Sequence, residues 1–255
     1  MTKQRRSRDE LHDMLLQEGR EILVDEGLET GSSNLTFKRV FDRVEARTGE
    51  RITNASVIKR VWHNQADYQT DVLVSIARDE TRPEVGGALD AIAAALEHLD
   101  LSSPESRAAA VGELCRVGGT ASSTSIDRST NWPLWISVVA MATATTSPEQ
   151  QQRIKSALQD GYASVSRFWS ENLALLIELL ELRVRPTFTL DQFVLAVVAY
   201  SEGCSLRQRT GDHIEVLIRP TGPDGEDQEW SLFAVGLEAL VHQFLEPDPA
   251  HDGSE

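Results

Sequence analysis

"ITNASVIKRVWHNQADYQTDVL", residues 52–73, is the stretch on which the reading of the fold turns. Val57, Ile58, Val61 and Trp62 supply the apolar stripe of a helix about two turns long, with Asn54 as its N-cap. Ser56, Lys59, Arg60 and His63 recur at i, i+3, i+4 and i+7, so they share the opposite face. Asn64 then caps a fresh helix, with Asp67 as its reciprocal partner and Tyr68, Val72 and Ile76 as its buried edge. A short helix with long donors and a small hydroxyl along one side raises the question of what that side touches.

Upstream, Ser7-Arg8-Asp9-Glu10 is a capping-box pattern, and Leu11, Leu15, Ile22 and Leu23 continue it as an apolar stripe that Gly27 stops. Phe37, Val40, Phe41 and Val44 stand at i, i+3, i+4 and i+7, which predicts a second helix ended by Thr48-Gly49. Three amphipathic helices and the start of a fourth follow in series, the second and third at helix-turn-helix spacing.

Charge sharpens this picture. Residues 1–78 hold 13 Lys and Arg against 13 Asp and Glu, while residues 79–255 hold 12 against 27, which is the whole net charge of −15. In the neutral part the cations cluster: Lys3, Arg5, Arg6 and Arg8 precede any acid, and residues 38–60 hold seven basic residues against Asp42, Glu45 and Glu50. Arg and Lys suit guanine O6 and N7 in the major groove, Ser and Asn at a helix start suit phosphates or bases, and a basic arm can follow the backbone or minor groove. Ser56, Lys59, Arg60 and His63 with Asn54 are therefore expected to contact double-stranded DNA, helped by Arg5 and Arg6 of the arm. The alternative for that face is a solvated polar surface. Lys38, Arg39 and Arg43 occupy the polar side of the second helix and could bind phosphates near its N-terminus. Equally, they could serve solubility, with Asp42 and Glu45 as ion-pair partners.

Beyond Pro83 the pattern stays helical. Residues 89–99 and 104–117 are helix-prone, Gly118-Gly119 with the Ser/Thr run after it predicts an interrupted or loop-like stretch, and 134–143 is helical again. Ser147-Pro148-Glu149 opens a long helix that ends before Pro186. Residues 191–209 and 231–244 form two more, and between them Ile214, Val216 and Ile218 alternate as in a strand before a Pro/Gly/Asp turn. The stretch 247–255 is expected to be a disordered acidic tail. Trp132, Trp135, Met141, Tyr162, Phe168 and Trp169 cluster on the central helices and suit either a ligand pocket or a core.

Catalytic signatures are missing: the chain has no G-x-G-x-x-G, P-loop, G-x-S-x-G or H-E-x-x-H pattern, so no enzyme activity is expected. Cys115 and Cys204 make no C-x-x-C pair, the six histidines are scattered, and neither a metal nor another cofactor is expected. No apolar run approaches the roughly 20 residues that span a bilayer. A cytoplasmic location with no membrane partner is the expectation.

One helix, a helix-turn-helix and then "VWHNQADYQTDVL" resemble the N-terminal domain of the tetracycline-repressor (TetR) family of bacterial transcriptional regulators, over residues 7–78. Trp62-His63-Asn64-Gln65-Ala66-Asp67-Tyr68 fills the places of the aromatic, turn, cap, acidic and apolar residues that follow the family's recognition helix. Gln65 stands where the family usually has a lysine. The resemblance implies an all-α homodimer: a three-helix helix-turn-helix DNA-binding domain at 1–78, then a helical effector-binding and dimerisation domain at 79–246. Residues 191–209 and 231–244 are the expected interface helices. It further implies a sequence-specific regulator, expected to be a repressor, that reads a palindromic operator and is modulated by a small-molecule effector of unknown identity. The rival expectation is an interaction module of the same fold, binding a basic protein partner rather than DNA.

Overall fold

The computed structural model describes residues 7–27, 31–49, 51–53, 57, 61–78, 83–144, 147–211, 216–221 and 225–250. Its helices are α1 (Arg8–Glu26), α2 (Phe37–Thr48), α3 (Gln65–Ala77), α4 (Pro83–Leu96), α5 (Pro104–Arg128), α6 (Asn131–Ala144), α7 (Pro148–Leu179), α8 (Leu190–Arg209) and α9 (Leu232–Phe244). Short strands are β1 (Leu182–Val184), β2 (Val216–Thr221), β3 (Glu226–Ser231) and β4 (Leu245–Pro247). The described residues are predominantly helical, and no helix among them is long and apolar enough to cross a membrane.

The N-terminal helices begin and end where capping chemistry places them. Ser7 N–H donates to Glu10 at 2.7 Å and Glu10 N–H donates to Ser7 Oγ at 3.1 Å, closing the capping box of α1. Thr36 Oγ1 caps α2 by accepting from Arg39 N–H, and Gly49, at φ 69, ends that helix in the left-handed region. Asn64 caps α3, its side-chain oxygen accepting from Asp67 N–H at 2.9 Å.

Two compact units follow, one of residues 1–80 with 130–162 and the other of 81–129 with 163–255. The sequence places a single boundary near residue 79. Instead, α6 and the first half of α7 join the N-terminal helices, because Leu134, Trp135, Val138, Ile154 and Leu158 complete the core that Leu15, Leu23, Val40, Val44, Tyr68 and Leu73 begin. In the other unit α5 is the hub, packed against α4, α8 and α9.

The expected break at Gly118-Gly119 is absent: α5 runs unbroken to Arg128. Both glycines are buried, and a Cβ at Gly119 would stand 3.0 Å from the Ala234 Cα of α9, so the missing side chain is what admits the neighbouring backbone. Contact between helices outweighs a weak local propensity. The far end of α5 is closed by Arg209, whose Nη2 donates to the Ile126 and Asp127 carbonyls at 2.6 Å each and to Ser129 O at 3.0 Å. Gly119→Val should destabilise this unit by about 1–3 kcal/mol through overpacking. Gly203→Ala in α8, where a Cβ meets nothing within 4 Å, should stabilise it by about 0.5–1 kcal/mol. Amide exchange over 110–120 and 232–240 reads both changes.

The alternating stretch folds as expected for its described part: β2 and β3 form an antiparallel hairpin with Leu217 opposite Trp230. Ile214 lies outside the described residues. The acidic tail begins later than its composition suggests, since β4 pairs with β1 through Leu182 opposite Pro247, and Arg183 and Arg185 hold Glu246 at 2.8 and 3.1 Å. Backbone pairing and two guanidiniums keep this start of the tail in place; 251–255 are outside the described residues.

Candidate functional site

The segment that the sequence assigns to DNA lies between Gly49 and the Asn64 cap. Asn54, Ser56, Lys59 and Arg60 lie outside the described residues, as do Arg5 and Arg6. What is described is how the segment is held. Val57 is fully buried and Trp62 is 4% exposed, while Arg51 and His63 face solvent. Val61 N–H donates to Val57 O at 2.8 Å, the i to i−4 bond of a helical turn.

Trp62 is fixed in direction as well as depth. Its indole N–H donates to Asp71 Oδ2 at 2.6 Å, and its ring meets Tyr68 edge-on at 4.9 Å. Tyr68 O–H donates in turn to Leu15 O at 2.9 Å, tying α3 to α1. Burial, with the charge of Glu18 behind it, raises the Tyr68 pKa well above the ordinary phenol value, so the hydroxyl remains a donor. Gln65 caps α2: its Oε1 accepts from Phe37 N–H at 3.3 Å, and Gln69 donates to Leu35 O at 3.1 Å.

The cations of α2 answer carboxylates. Lys38 pairs with Asp42 at 2.8 Å, and that hydrogen bond and charge raise its pKa. Arg39 pairs with Glu26. Arg43 meets Asp25 at 2.8 Å, Glu18 at 3.4 Å and Glu21 at 3.5 Å, its pKa raised first by the Asp25 hydrogen bond, and Arg47 also reaches Glu18. Both Glu18 oxygens are fully buried and meet the guanidiniums as ion pairs rather than as aligned hydrogen bonds. Exposed pairs such as Lys38–Asp42 contribute little to stability in water. The pairs on Glu18 are structural.

The six aromatic and soft residues that suit either a ligand pocket or a core divide between the two units. Trp132 and Trp135 are buried in the first unit, Trp135 edge-on to Tyr162 at 5.1 Å, with Met141 and Tyr162 packed against the same core. Phe168 and Trp169 belong to the second unit, 5.7 Å apart. A cavity of about 80 Å³ in that unit is lined by other side chains, all apolar, among them Val111, Leu114, Cys115, Leu176, Phe193 and Leu237. Burial, then the charge of Glu238, pushes the Cys115 thiol up to about 12, so it lines the cavity as an inert apolar group. Periodicity marks these residues as buried but says nothing of a void between them.

No family model and no curated protein matches the chain. A solved structure from Saccharomonospora viridis, described as that of a candidate transcriptional regulator in complex with choline, is similar with a TM-score of 0.44 and 16% identity, over 93% of this chain and 99% of that one. A likeness of that degree identifies neither family nor function.

Proposed function

We propose that the chain is a sequence-specific DNA-binding transcriptional regulator, a repressor that acts as a homodimer and is released by a small-molecule effector. The observation that carries this reading is the inward anchoring of Val57 and Trp62 around the Val61 to Val57 helical bond. With those positions turned to the core, the 3.6-residue period assigns Ser56, Lys59, Arg60 and His63 to the outer side. The resemblance of residues 7–78 to the TetR family and the clustering of cations in that part support it further. Leu175 and Leu179 on α7 and Leu195 and Leu206 on α8 are large apolar side chains that a single chain leaves in water, which supports a partner copy. The apolar cavity suits a small uncharged effector, because it offers no polar group to hold an ion. Effector and DNA then compete by favouring different arrangements of the same dimer.

Lys59→Ala and Arg60→Ala test the assignment. Each should weaken binding to a selected duplex by about 1–3 kcal/mol while leaving the circular-dichroism spectrum and the mass of the assembly unchanged. Wild-type affinity in both variants would remove the recognition face from the account.

A further inference from the structure

We propose that Arg153 is a positioning residue for DNA reading, acting through Asp71 on the indole of Trp62; the inference rests on the functional reading above. Asp71 has both oxygens committed. Oδ2 accepts from the Trp62 indole at 2.6 Å, and Oδ1 is paired with the Arg153 guanidinium. A third group closes the arrangement: the His12 ring stacks on Trp62 at 5.1 Å and 24°, with its Nε2 4.0 Å from Asp71 Oδ2 and its Nδ1 3.0 Å from Asp13.

Burial alone would keep Trp62 in the core but would not orient it. A carboxylate held on its far side by a guanidinium is a directional anchor, because the charge-assisted hydrogen bond to the indole is strongest in one geometry. Trp62 follows directly on the segment that carries Lys59 and Arg60, and its backbone N–H donates to Val57 O at 3.3 Å. The indole direction therefore sets the exit of that segment. Arg153 comes from the second turn of α7, 82 residues from Asp71 in sequence, and has no part in the apolar core. The pair is part-buried, with Arg153 40% and Asp71 26% exposed, and an ion pair this open to solvent contributes modestly to stability. Through Arg153, the placement of α7 is felt at the DNA-reading segment.

The test uses the full chain and two readouts. In Arg153→Met, which keeps the apolar stem, the Trp62 indole N–H resonance, identified among the five tryptophans by its loss in Trp62→Phe, should shift without DNA present, with the thermal midpoint nearly unchanged. Affinity for a selected duplex should fall about 2- to 30-fold, the range for residues that act on a site without touching its ligand. Arg153→Lys should recover part of the loss, and Asp71→Asn combined with Arg153→Met should lose little more than the worse single variant. An unmoved indole resonance overturns the proposal whatever the DNA result, and so does wild-type affinity in Arg153→Met. If the unaltered protein binds no duplex, the functional reading fails and the role in DNA reading falls with it. The indole shift separates the two failures, since it reports whether Arg153 positions Trp62 at all.

Discussion

Replacing Arg43 and Arg47 together by methionine should destabilise the first unit by about 3–5 kcal/mol, more than removing the carboxylate they serve. Glu18 is fully buried, and these two guanidiniums meet its oxygens. Without them a carboxylate is stranded in an apolar core, where it holds its charge at high cost or takes up a proton. Glu18→Leu is expected to be far milder. Position 18 continues the stripe of Leu11, Leu15 and Ile22, and Arg43 keeps Asp25 and Glu21 as partners at 2.8 and 3.5 Å. Denaturant midpoints of the three proteins at neutral pH check the ranking.

Trp230→Ala should cost about 3–5 kcal/mol in the second unit. Trp230 is 1% exposed, and its indole N–H donates to Thr221 Oγ1 at 2.6 Å across the hairpin. Its ring lies 4.3 Å from the Arg219 guanidinium, which is itself held by Glu238 at 2.8 Å. Alanine opens a cavity, loses the N–H that meets Thr221 and removes the plate under Arg219. Trp230→Phe keeps most of the volume and should lose nearer 1 kcal/mol, chiefly the hydrogen bond. Because a chain of two units has no single free energy of unfolding, the loss is best read as amide exchange over 216–221 and 226–244.

The N-terminal helices could be read from the sequence because local chemistry decides them. Ser7, Thr36 and Asn64 each cap a helix whose apolar stripe starts within a turn, and Gly27 and Gly49 end two of them. The Gly118-Gly119 pair misleads because its role is tertiary: what looks like a weak point in α5 is where Gly118 makes room for Ile92 of α4 and Gly119 for Ala234 of α9. The placement of α6 and the start of α7 with the first unit was hidden for the same reason, since periodicity marks a buried face without naming what buries it. Glu18 left a trace, a carboxylate in the buried register of α1, whose partners Arg43 and Arg47 on α2 only the packing reveals. Asp71 and Arg153 left none, as the pair joins positions 82 residues apart. For the side chains proposed to read DNA, spacing and charge carry the assignment, and the structure adds the anchoring of Val57 and Trp62.

The measurement that tests the account most directly is selection of bound duplexes from a random DNA pool by the purified full chain, with the mass of the assembly determined in parallel. The account predicts enrichment of a palindrome whose half-sites lie about one helical turn apart, or a multiple of it, bound by a dimer with affinity that falls steeply as salt rises. A folded protein that enriches no sequence at low salt would contradict it, and would turn the face on residues 52–73 toward a protein partner instead.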